Sequence, residues 1–279
     1  APAKINVHLK VTGRRPDGYH ELVSIMVPVD IFDVIDLKVS SGAGIRISCR
    51  GREIPADESN LAYRAARDFM SLAGIREGVS ISLAKNIPVA AGLGGGSSDG
   101  AAVLIALNRM YSRPLSQAEL HKLALNLGAD VPFFLMGGPC LATGVGEILE
   151  PIHNWPEAWY VIVTPPIQVS TAWVYRNLKL KLTTGEYDYI VKTLKNGTFT
   201  ISGLLENDLE TVTTASFPLI NTLKKLLVDA GAEGAIMSGS GPSVFGVFAS
   251  REKAESAKDI LVSHNPGDIF LARGGVVKE

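Results

Sequence analysis

The segment at residues 92–98, GLGGGSS, is the part of this sequence best suited to binding an anion. Its four glycines allow backbone conformations that side chains forbid, so backbone N–H groups can approach a ligand closely. The Ala-, Leu- and Val-rich residues that follow predict a helix over 98–111. A helix N-terminus favours a phosphate, because its first N–H groups are unpaired and lie at the positive end of the dipole. A tight structural turn fits the same residues, and composition alone leaves both interpretations open.

Three familiar nucleotide-binding signatures are missing from the sequence. A Walker A loop needs Gly-Lys before Ser or Thr, and the sequence contains no Gly-Lys dipeptide. A dinucleotide fingerprint needs a glycine five positions after the first, where Ser97 or Asp99 stands instead. The protein-kinase tripeptides His-Arg-Asp and Asp-Phe-Gly are also missing. The glycine segment therefore belongs to none of these three classes.

Asp130 and Lys4 are the candidates for proton transfer and charge stabilisation. A carboxylate can accept a proton, and Asp130 closely follows a helix that we expect to end at Gly128. Asp130 could equally cap a short helix that begins there. Lys4 lies on the polar face of the first strand. A solvent-facing lysine is the ordinary interpretation, and an ammonium that keeps a carboxylate ionised is the functional one.

Tyr19 and His20 follow a predicted Pro-Asp-Gly turn at residues 16–18. A flat aromatic ring could stack on a nucleobase, and an imidazole could hydrogen bond to the edge of the base. By residue type alone, an ordinary half-buried pair beside a turn is the better explanation.

Strands and helices must position these residues. Alternation of apolar and polar residues over 4–11 predicts a half-buried strand. A helix over 60–72 stops at Gly74, and a capping box of Ser116 with Glu119 opens the helix that ends at Gly128. The later pattern predicts a strand over 159–166, helices over 171–178, 187–195, 204–213, 217–230 and 252–262, two strands joined by a glycine loop over 234–248, and a short strand over 269–272.

The composition is that of an ordinary globular protein of two domains. The chain has 279 residues, 46% hydrophobic residues and a formal net charge of −1. We place a domain boundary near Asn154, giving domains over 1–154 and 155–279. A nearly neutral chain lacks the basic surplus that nucleic acid or an anionic membrane requires, so we expect neither as a partner. Cys49 and Cys140 suit neither a zinc site nor a disulfide framework, and we expect a cytoplasmic protein.

The segment PVAAGLGGGSSDGAA resembles the nucleotide-binding loop of the GHMP kinases. Three further segments agree: PAKINVHLKVTGRRPDGYHEL, LGADVPFFLMGG with GVGEILEP, and SGSGPSVFG. The extra glycines resemble the branch that phosphorylates a cytidyl diphosphate-linked polyol in the non-mevalonate isoprenoid pathway. The resemblance spans nearly the whole chain. It implies an α+β, two-domain GHMP kinase fold, with a ribosomal protein S5 domain 2-like N-terminal domain, a ferredoxin-like C-terminal domain and an active site in the cleft between the domains.

The resemblance also implies roles for individual residues. Asp130 matches the catalytic aspartate, and Lys4 matches the lysine that assists it. Cytosine would stack on Tyr19 and Tyr175, and the remaining substrate contacts would come from Asn6 and His20. The predicted contacts to ATP are Asn60, Leu61 and Lys85 near adenine and ribose, and Gly92, Leu93, Gly94, Gly95, Gly96, Ser97 and Ser98 around the phosphates.

Other features of the resemblance concern the phosphate region. Residues 239–243, GSGPS, match a further family motif and are predicted to brace the glycine segment, although a plain β-turn fits them too. Asp99 stands where the family commonly has Asn, which puts a direct contact from this side chain to the nucleotide in doubt. The His residues show no metal-ligand spacing, so Mg²⁺ is expected to arrive with ATP, held mostly by phosphates and water.

Two rival functions stay open at this point. Another GHMP kinase, acting on homoserine or mevalonate, would have no base to stack, and the DGYH tetrapeptide argues against it. A nucleotide-binding regulator without catalysis would need neither Lys4 nor Asp130. For every one of these functions the expected partner is a small molecule, and we expect a monomer or a weak homodimer.

Overall fold

The structure is a computed structural model that describes residues 1–40, 42–179, 185–197 and 199–275. Its contacts divide the chain into two units, each made of segments that are separate in sequence. The first unit contains Ala1–Ala3, Ile31–Val89 and Gly94–Gly137, and the second contains Lys4–Asp30, Ala90–Leu93 and the described residues from Gly138 onward. The predicted boundary near Asn154 lies inside a segment of the second unit and stays a prediction.

The described residues form an α+β protein, as predicted. The strands are β1 (Pro2–Arg14), β2 (His20–Phe32), β3 (Val34–Ser40), β4 (Ile45–Gly51), β5 (Gly78–Lys85), β6 (Cys140–Thr143), β7 (Ile148–Pro151), β8 (Ala158–Thr164), β9 (Glu206–Asn207), β10 (Gly234–Met237), β11 (Val244–Phe248) and β12 (Asp268–Gly274). The helices are α1 (Leu61–Ala73), α2 (Gly95–Met110), α3 (Gln117–Leu127), α4 (Phe133–Met136), α5 (Thr171–Asn177), α6 (Glu186–Asn196), α7 (Glu210–Ser216), α8 (Leu219–Asp229) and α9 (Arg251–Val262).

The first unit packs helices against a small sheet. In this sheet β5 lies between β3 and β4, antiparallel to β3 and parallel to β4. α1 begins at its N-cap Asn60, whose Oδ1 accepts a hydrogen bond from the N–H of Ala62 at 2.9 Å, and ends at Gly74 with φ +68°. The capping box of Ser116 with Glu119 is present at the start of α3. These helix ends confirm the predictions from sequence, because each depends on residues within one turn of the helix.

The second unit is built on a larger sheet in the order β10-β11-β8-β12-β2-β1-β9, with β6 also paired to β2 and β7 to β6. α8 packs against β10 and β11, and α9 packs against β8 and β12. Their buried apolar side chains form one core with those of the sheet. The two strands predicted over 234–248 and the helix predicted over 252–262 are confirmed.

The first strand is more buried than its pattern predicts. Lys4, Asn6 and His8 were expected on an exposed face, but they are only 4%, 4% and 2% exposed. β1 is an inner strand that pairs with both β2 and β9, and hydrogen bonds hold the Lys4 and Asn6 side chains in the interior. The expectation of a half-buried strand was therefore wrong, because the alternation of apolar and polar residues along β1 does not show which other elements cover its polar face.

Two predicted helices have different bounds in the structure. α2 begins at Gly95, three residues before the predicted start, so two glycines belong to its first turn. The helix predicted over 204–213 is instead a 3₁₀ turn, the short strand β9 and then α7. Asn207 breaks this helix by tertiary contacts, because its Nδ2 donates to the carbonyls of Met237 and Gly239, each at 2.8 Å. Among the helices of the described residues, none has the length and apolarity needed to span a membrane.

Candidate active site

The first glycine segment, residues 92–98, ends in the open first turn of α2. Gly92 has φ +76° and Gly94, the N-cap of α2, has φ +70°, conformations that glycine adopts without strain. Within the described residues, no acceptor pairs with the N–H groups of Gly95, Gly96 or Ser97. Gly96 is exposed and Ser97 is half-buried. The turn therefore presents accessible backbone donors at the positive end of a helix of 16 residues.

Gly95 is the point at which this turn rests on the interior of the first unit. A Cβ atom at Gly95 would lie 2.8 Å from Lys85 Nζ and 2.9 Å from Ile87 Cγ2, so only glycine fits without displacement. The next position is more open, since a Cβ at Gly96 would meet Leu61 Cδ1 at 3.7 Å. The structure thus brings Leu61, Lys85 and the glycines of the turn together, as a nucleotide site would require.

Two of the residues predicted to contact ATP, Asn60 and Lys85, have side-chain contacts of their own, whereas a third, Ser98, has none among the described residues. Asn60 Nδ2 donates to the Pro55 carbonyl at 2.8 Å while its Oδ1 caps α1. Lys85 is buried and donates to the carboxylates of Asp33 and Asp99. Ser98 is buried, and its Oγ has no partner within the described part of the chain. The roles of these residues toward ATP stay predictions.

The second glycine segment, residues 238–243, joins β10 to β11 and braces the first segment. Ser238 Oγ donates to the Gly92 carbonyl at 2.9 Å, and the N–H of Ser243 donates to the Ala91 carbonyl at 3.2 Å. The N–H of Gly241 donates to the Ser238 carbonyl at 2.9 Å, which closes a turn. The predicted brace and the plain turn are therefore both present.

Lys4 belongs to a buried polar network at the start of β1. Its Nζ donates to Asn6 Oδ1 at 2.6 Å, and Asn6 Nδ2 donates to Ser24 Oγ at 2.9 Å. The backbone of Asn6 donates to Ser238 Oγ at 3.2 Å, and the backbone of Lys4 donates to the Leu93 carbonyl at 2.9 Å. These bonds fix the Lys4 and Asn6 side chains beside both glycine segments within the second unit.

Asp130 lies half-buried between α3 and α4 in the first unit. α4 has Pro132 at its N-cap position and no side-chain cap. Asp130 is therefore not the N-cap of that helix, and the capping interpretation was wrong. The role of Asp130 as a base stays a prediction.

The residues predicted to recognise the base lie on the second unit. Tyr19 is 64% exposed, whereas the rings of His20 and Tyr175 stack on one another with centroids 5.2 Å apart and an interplanar angle of 27°. Burial, with Arg14 adding to it, lowers the pKa of His20 below its ordinary value of 6.5. His20 is therefore neutral at pH 7, with one ring nitrogen that donates and one that accepts. The structure brings His20 and Tyr175 together, and their contacts to a substrate stay predictions.

Several functional candidates were missed by reasoning from sequence. Asp33 stands between two apolar strands and resembles an ordinary turn residue, yet it is buried and pairs with Lys85. Ser238 and Ser24 are serines in apolar strands or at their ends, a weak signal by itself. A buried polar side chain in a strand is informative only once its partners across the sheet are known.

Comparison with known proteins identifies related chains. The family model for the GHMP kinases N terminal domain matches residues 60–138, and the model for the GHMP kinases C terminal domain matches residues 190–267. A 4-diphosphocytidyl-2-C-methyl-D-erythritol kinase of Syntrophotalea carbinolica is 48% identical over 265 residues, covering 95% of this chain and 94% of that protein. Its counterpart in Geobacter metallireducens is 47% identical over 273 residues, covering 97% of this chain and 95% of that protein.

Two solved structures superimpose on this chain over nearly its whole length. The crystal structure of a 4-(cytidine 5'-diphospho)-2C-methyl-D-erythritol kinase superimposes with a TM-score of 0.84 at 36% identity, covering 99% of this chain and 98% of that one. A homoserine kinase from Cytophaga hutchinsonii superimposes with a TM-score of 0.77 at 23% identity, covering 99% of this chain and 94% of that one. The second likeness extends to the fold alone.

Proposed function

This chain belongs to the GHMP kinase family, and from that premise we propose that it transfers the γ-phosphoryl group of ATP to the 2-hydroxyl of 4-diphosphocytidyl-2-C-methyl-D-erythritol. The reaction is a step of the non-mevalonate pathway to isoprenoid precursors. The observation that carries the proposal is the open first turn of α2, where N–H groups without partners in the described residues can donate to an anion. Relatives that are 42–48% identical over nearly the whole chain carry the name of this kinase.

The phosphates of ATP bind at the first glycine segment. The N–H groups of Gly95, Gly96 and Ser97 supply donors that need no side-chain rearrangement, and the unpartnered Ser98 Oγ adds a hydroxyl beside them. Mg²⁺ arrives with the triphosphate, since phosphate oxygens and water satisfy most of its octahedral shell. No group of three or more metal-ligating side chains occurs within the described residues.

Asp130 accepts the proton of the acceptor hydroxyl, and Lys4 stabilises the negative charge on the transferring phosphoryl group. A carboxylate is a suitable acceptor for this proton because phosphoryl transfer needs positioning of the alcohol more than a strong base. The hydrogen bond from Lys4 Nζ to Asn6 Oδ1 at 2.6 Å restricts the direction of the ammonium. A fixed cation stabilises developing charge without the reorganisation that water would require.

His20, Tyr19 and Tyr175 recognise the cytosine base. Neutral His20 presents one donor and one acceptor, which suits the mixed donor and acceptor edge of cytosine. The Tyr175 ring already makes a stacked contact with an aromatic ring, and the base takes a similar face-to-face position against it. Tyr19 is exposed and offers a second face.

The experiment that tests this function is ADP release from MgATP in the presence of each acceptor in turn. We expect turnover with 4-diphosphocytidyl-2-C-methyl-D-erythritol and none with homoserine or mevalonate, together with thermal stabilisation by CDP. Turnover with homoserine or mevalonate would assign the chain to that activity instead. Binding of ATP without turnover of any acceptor would indicate a regulator.

Two variants test the assigned roles in the same assay. Asp130→Asn should lower turnover by about 10²–10⁴-fold with little change in substrate affinity, because it removes the proton acceptor and keeps the shape. His20→Ala should raise the KM for the cytidyl substrate and leave that for ATP nearly unchanged. Asp68→Asn on α1 and His264→Ala at an exposed position are the matched controls. Full turnover in Asp130→Asn would remove Asp130 from the mechanism.

A further inference from the structure

Three charged side chains, Asp33, Lys85 and Asp99, form a buried cluster directly below the first turn of α2. Their side chains are 0%, 3% and 3% exposed. Lys85 Nζ donates to Asp99 Oδ2 at 2.7 Å and also to Asp33 Oδ2. Lys85 Nζ is the atom that would lie 2.8 Å from a Cβ at Gly95, so the cluster touches the turn that we propose to bind phosphate.

The two carboxylates of this cluster are not equivalent. Asp33 Oδ1 accepts hydrogen bonds from the backbone N–H groups of Asn86 at 2.6 Å and Ile87 at 2.9 Å. Asp99 Oδ1 is buried and has no partner within the described residues. Hydrogen bonds stabilise an ionised carboxylate, and Asp99 Oδ1 has none, so we assign the proton to Asp99 Oδ1.

The charges around Asp99 agree with this assignment. Burial raises the pKa of Asp99 to about 7, with Lys85 opposing the rise and Asp33 adding to it. Within the described residues, the thiol of Cys49, whose pKa burial raises, also interacts with Asp99. Ionisation of Asp99 therefore adds one negative charge to the cluster.

We propose that Asp99 is a positioning residue for nucleotide binding that takes up a proton from solvent when phosphates occupy the first turn of α2. The proton adds to the free Oδ1, and no other bond changes. Two effects favour this protonation: phosphate charges repel the Asp99 carboxylate, and they compete with it for the positive end of the α2 dipole. This inference rests on the proposed function, because it needs phosphates at that turn.

The expected pH dependence follows from the linkage of proton and nucleotide. At low pH Asp99 is protonated in the free and the nucleotide-bound protein, and the affinity for nucleotide does not depend on its charge. As pH rises through about 7 in the free protein, Asp99 ionises, and nucleotide must then recruit a proton to bind. If bound phosphates raise the pKa of Asp99 by about one unit, the affinity falls by about tenfold and then levels off.

Calorimetric titration of the full chain with MgADP at pH 7.5, in two buffers of different ionisation enthalpy, measures the proton uptake. We expect the wild type to take up about half a proton more than Asp99→Asn, which keeps the shape and removes the charge. Asp36→Asn, an exposed carboxylate on β3, is the matched control and should behave as the wild type. Equal uptake by the wild type and Asp99→Asn would overturn the proposal.

A second measurement uses the wild type alone, so the proposal does not depend on the folding of a variant. The dissociation constant of MgADP should rise by about tenfold from pH 6 to pH 9, after correction for the titration of MgADP itself, which is measured without protein. A constant value across this range would overturn the proposal. If MgADP binds with the same dissociation constant at every pH, only the proposal about Asp99 fails. If MgADP does not bind at any pH, the proposed function fails as well.

Discussion

The two glycine segments look alike in the sequence and differ in how they use their backbone. The first segment, residues 92–98, leads into a helix of 16 residues, and the N–H groups of its first turn have no partner within the described residues. In the second segment, residues 238–243, the N–H groups of Ser238, Gly241 and Ser243 all donate to carbonyls. The first segment leaves the donors of its helical turn without partners among the described residues. In the second segment two of these N–H donors close the segment on itself and one binds the Ala91 carbonyl, while the Ser238 hydroxyl holds the Gly92 carbonyl.

This difference shows that glycine content alone does not make an anion site. Glycine allows the close approach and the positive φ in both segments. The helix that follows the first segment supplies aligned, unpaired N–H groups, whereas the strand β11 that follows the second pairs with its neighbours. The charged cluster of Asp33, Lys85 and Asp99 lies beneath the first segment.

The largest expected loss of stability comes from Gly92→Ala, which places a methyl group at the contact between the two segments. Gly92 has φ +76°, and a Cβ there would lie 2.1 Å from the Ser238 carbonyl oxygen. Backbone must move to accept it, and we expect a loss of about 4 kcal/mol, or a fall in Tm of roughly 10 °C. Gly137→Ala is the control, because its φ is +73° but nothing lies within 4 Å. Equal losses in the two variants would show that backbone strain, and not the brace, sets the cost.

Two variants in the first segment, Gly95→Ala and Gly96→Ala, have smaller expected effects and distinguish a loss of stability from a loss of ligand binding. Gly95→Ala should cost about 2 kcal/mol in unfolding free energy, because its Cβ would press on Lys85 Nζ and Ile87. Gly96→Ala should leave Tm unchanged or slightly higher, since alanine favours a helix and the site is open. The same variant should weaken MgADP binding by about tenfold, because its methyl group occupies space used by phosphate. Unchanged MgADP affinity in Gly96→Ala would place the phosphates elsewhere.

The smallest effect is the pH dependence of stability, which we assign to the cluster beneath the first segment. The pKa of Asp99 is raised from 3.8 to about 7, so its stabilising contribution is present at low pH and is lost as pH rises through 7. Between pH 6 and pH 8 this loss amounts to about 1.4 kcal/mol. Thermal unfolding should therefore show a smaller fall in Tm over this interval for Asp99→Asn than for the wild type. Identical slopes would mean that Asp99 does not titrate in this range.

Much of the local structure was predictable because it depends on neighbouring residues. The N-cap Asn60, the terminal Gly74 and the capping box at Ser116 act within one helical turn, so their residue types are sufficient evidence. The strand pair around the second glycine segment follows from a similar local pattern. The helix predicted over 204–213 failed because Asn207 forms bonds to residues about thirty positions away.

The candidate site was predictable in its parts and not in its contacts. The glycine segment and the residues Lys4, Asp130, His20 and Tyr175 were selected by residue type and family resemblance. The stacked contact of His20 with Tyr175 could not be derived from sequence, because it joins residues more than 150 positions apart. The burial of Lys4 was also missed, since the alternating pattern of β1 gives no information about what covers its polar face.

The sequence by itself determined the family, the α+β class and a glycine-rich segment in front of a helix, because these depend on residue types at fixed spacings. Only the tertiary structure decided which glycine segment keeps its N–H groups available and which one acts as a brace. It also decided that Lys85 lies between two buried carboxylates below the first segment. Burial and electrostatic coupling depend on groups that meet through folding, so a charge balance such as that of Asp99 exists only in the folded chain.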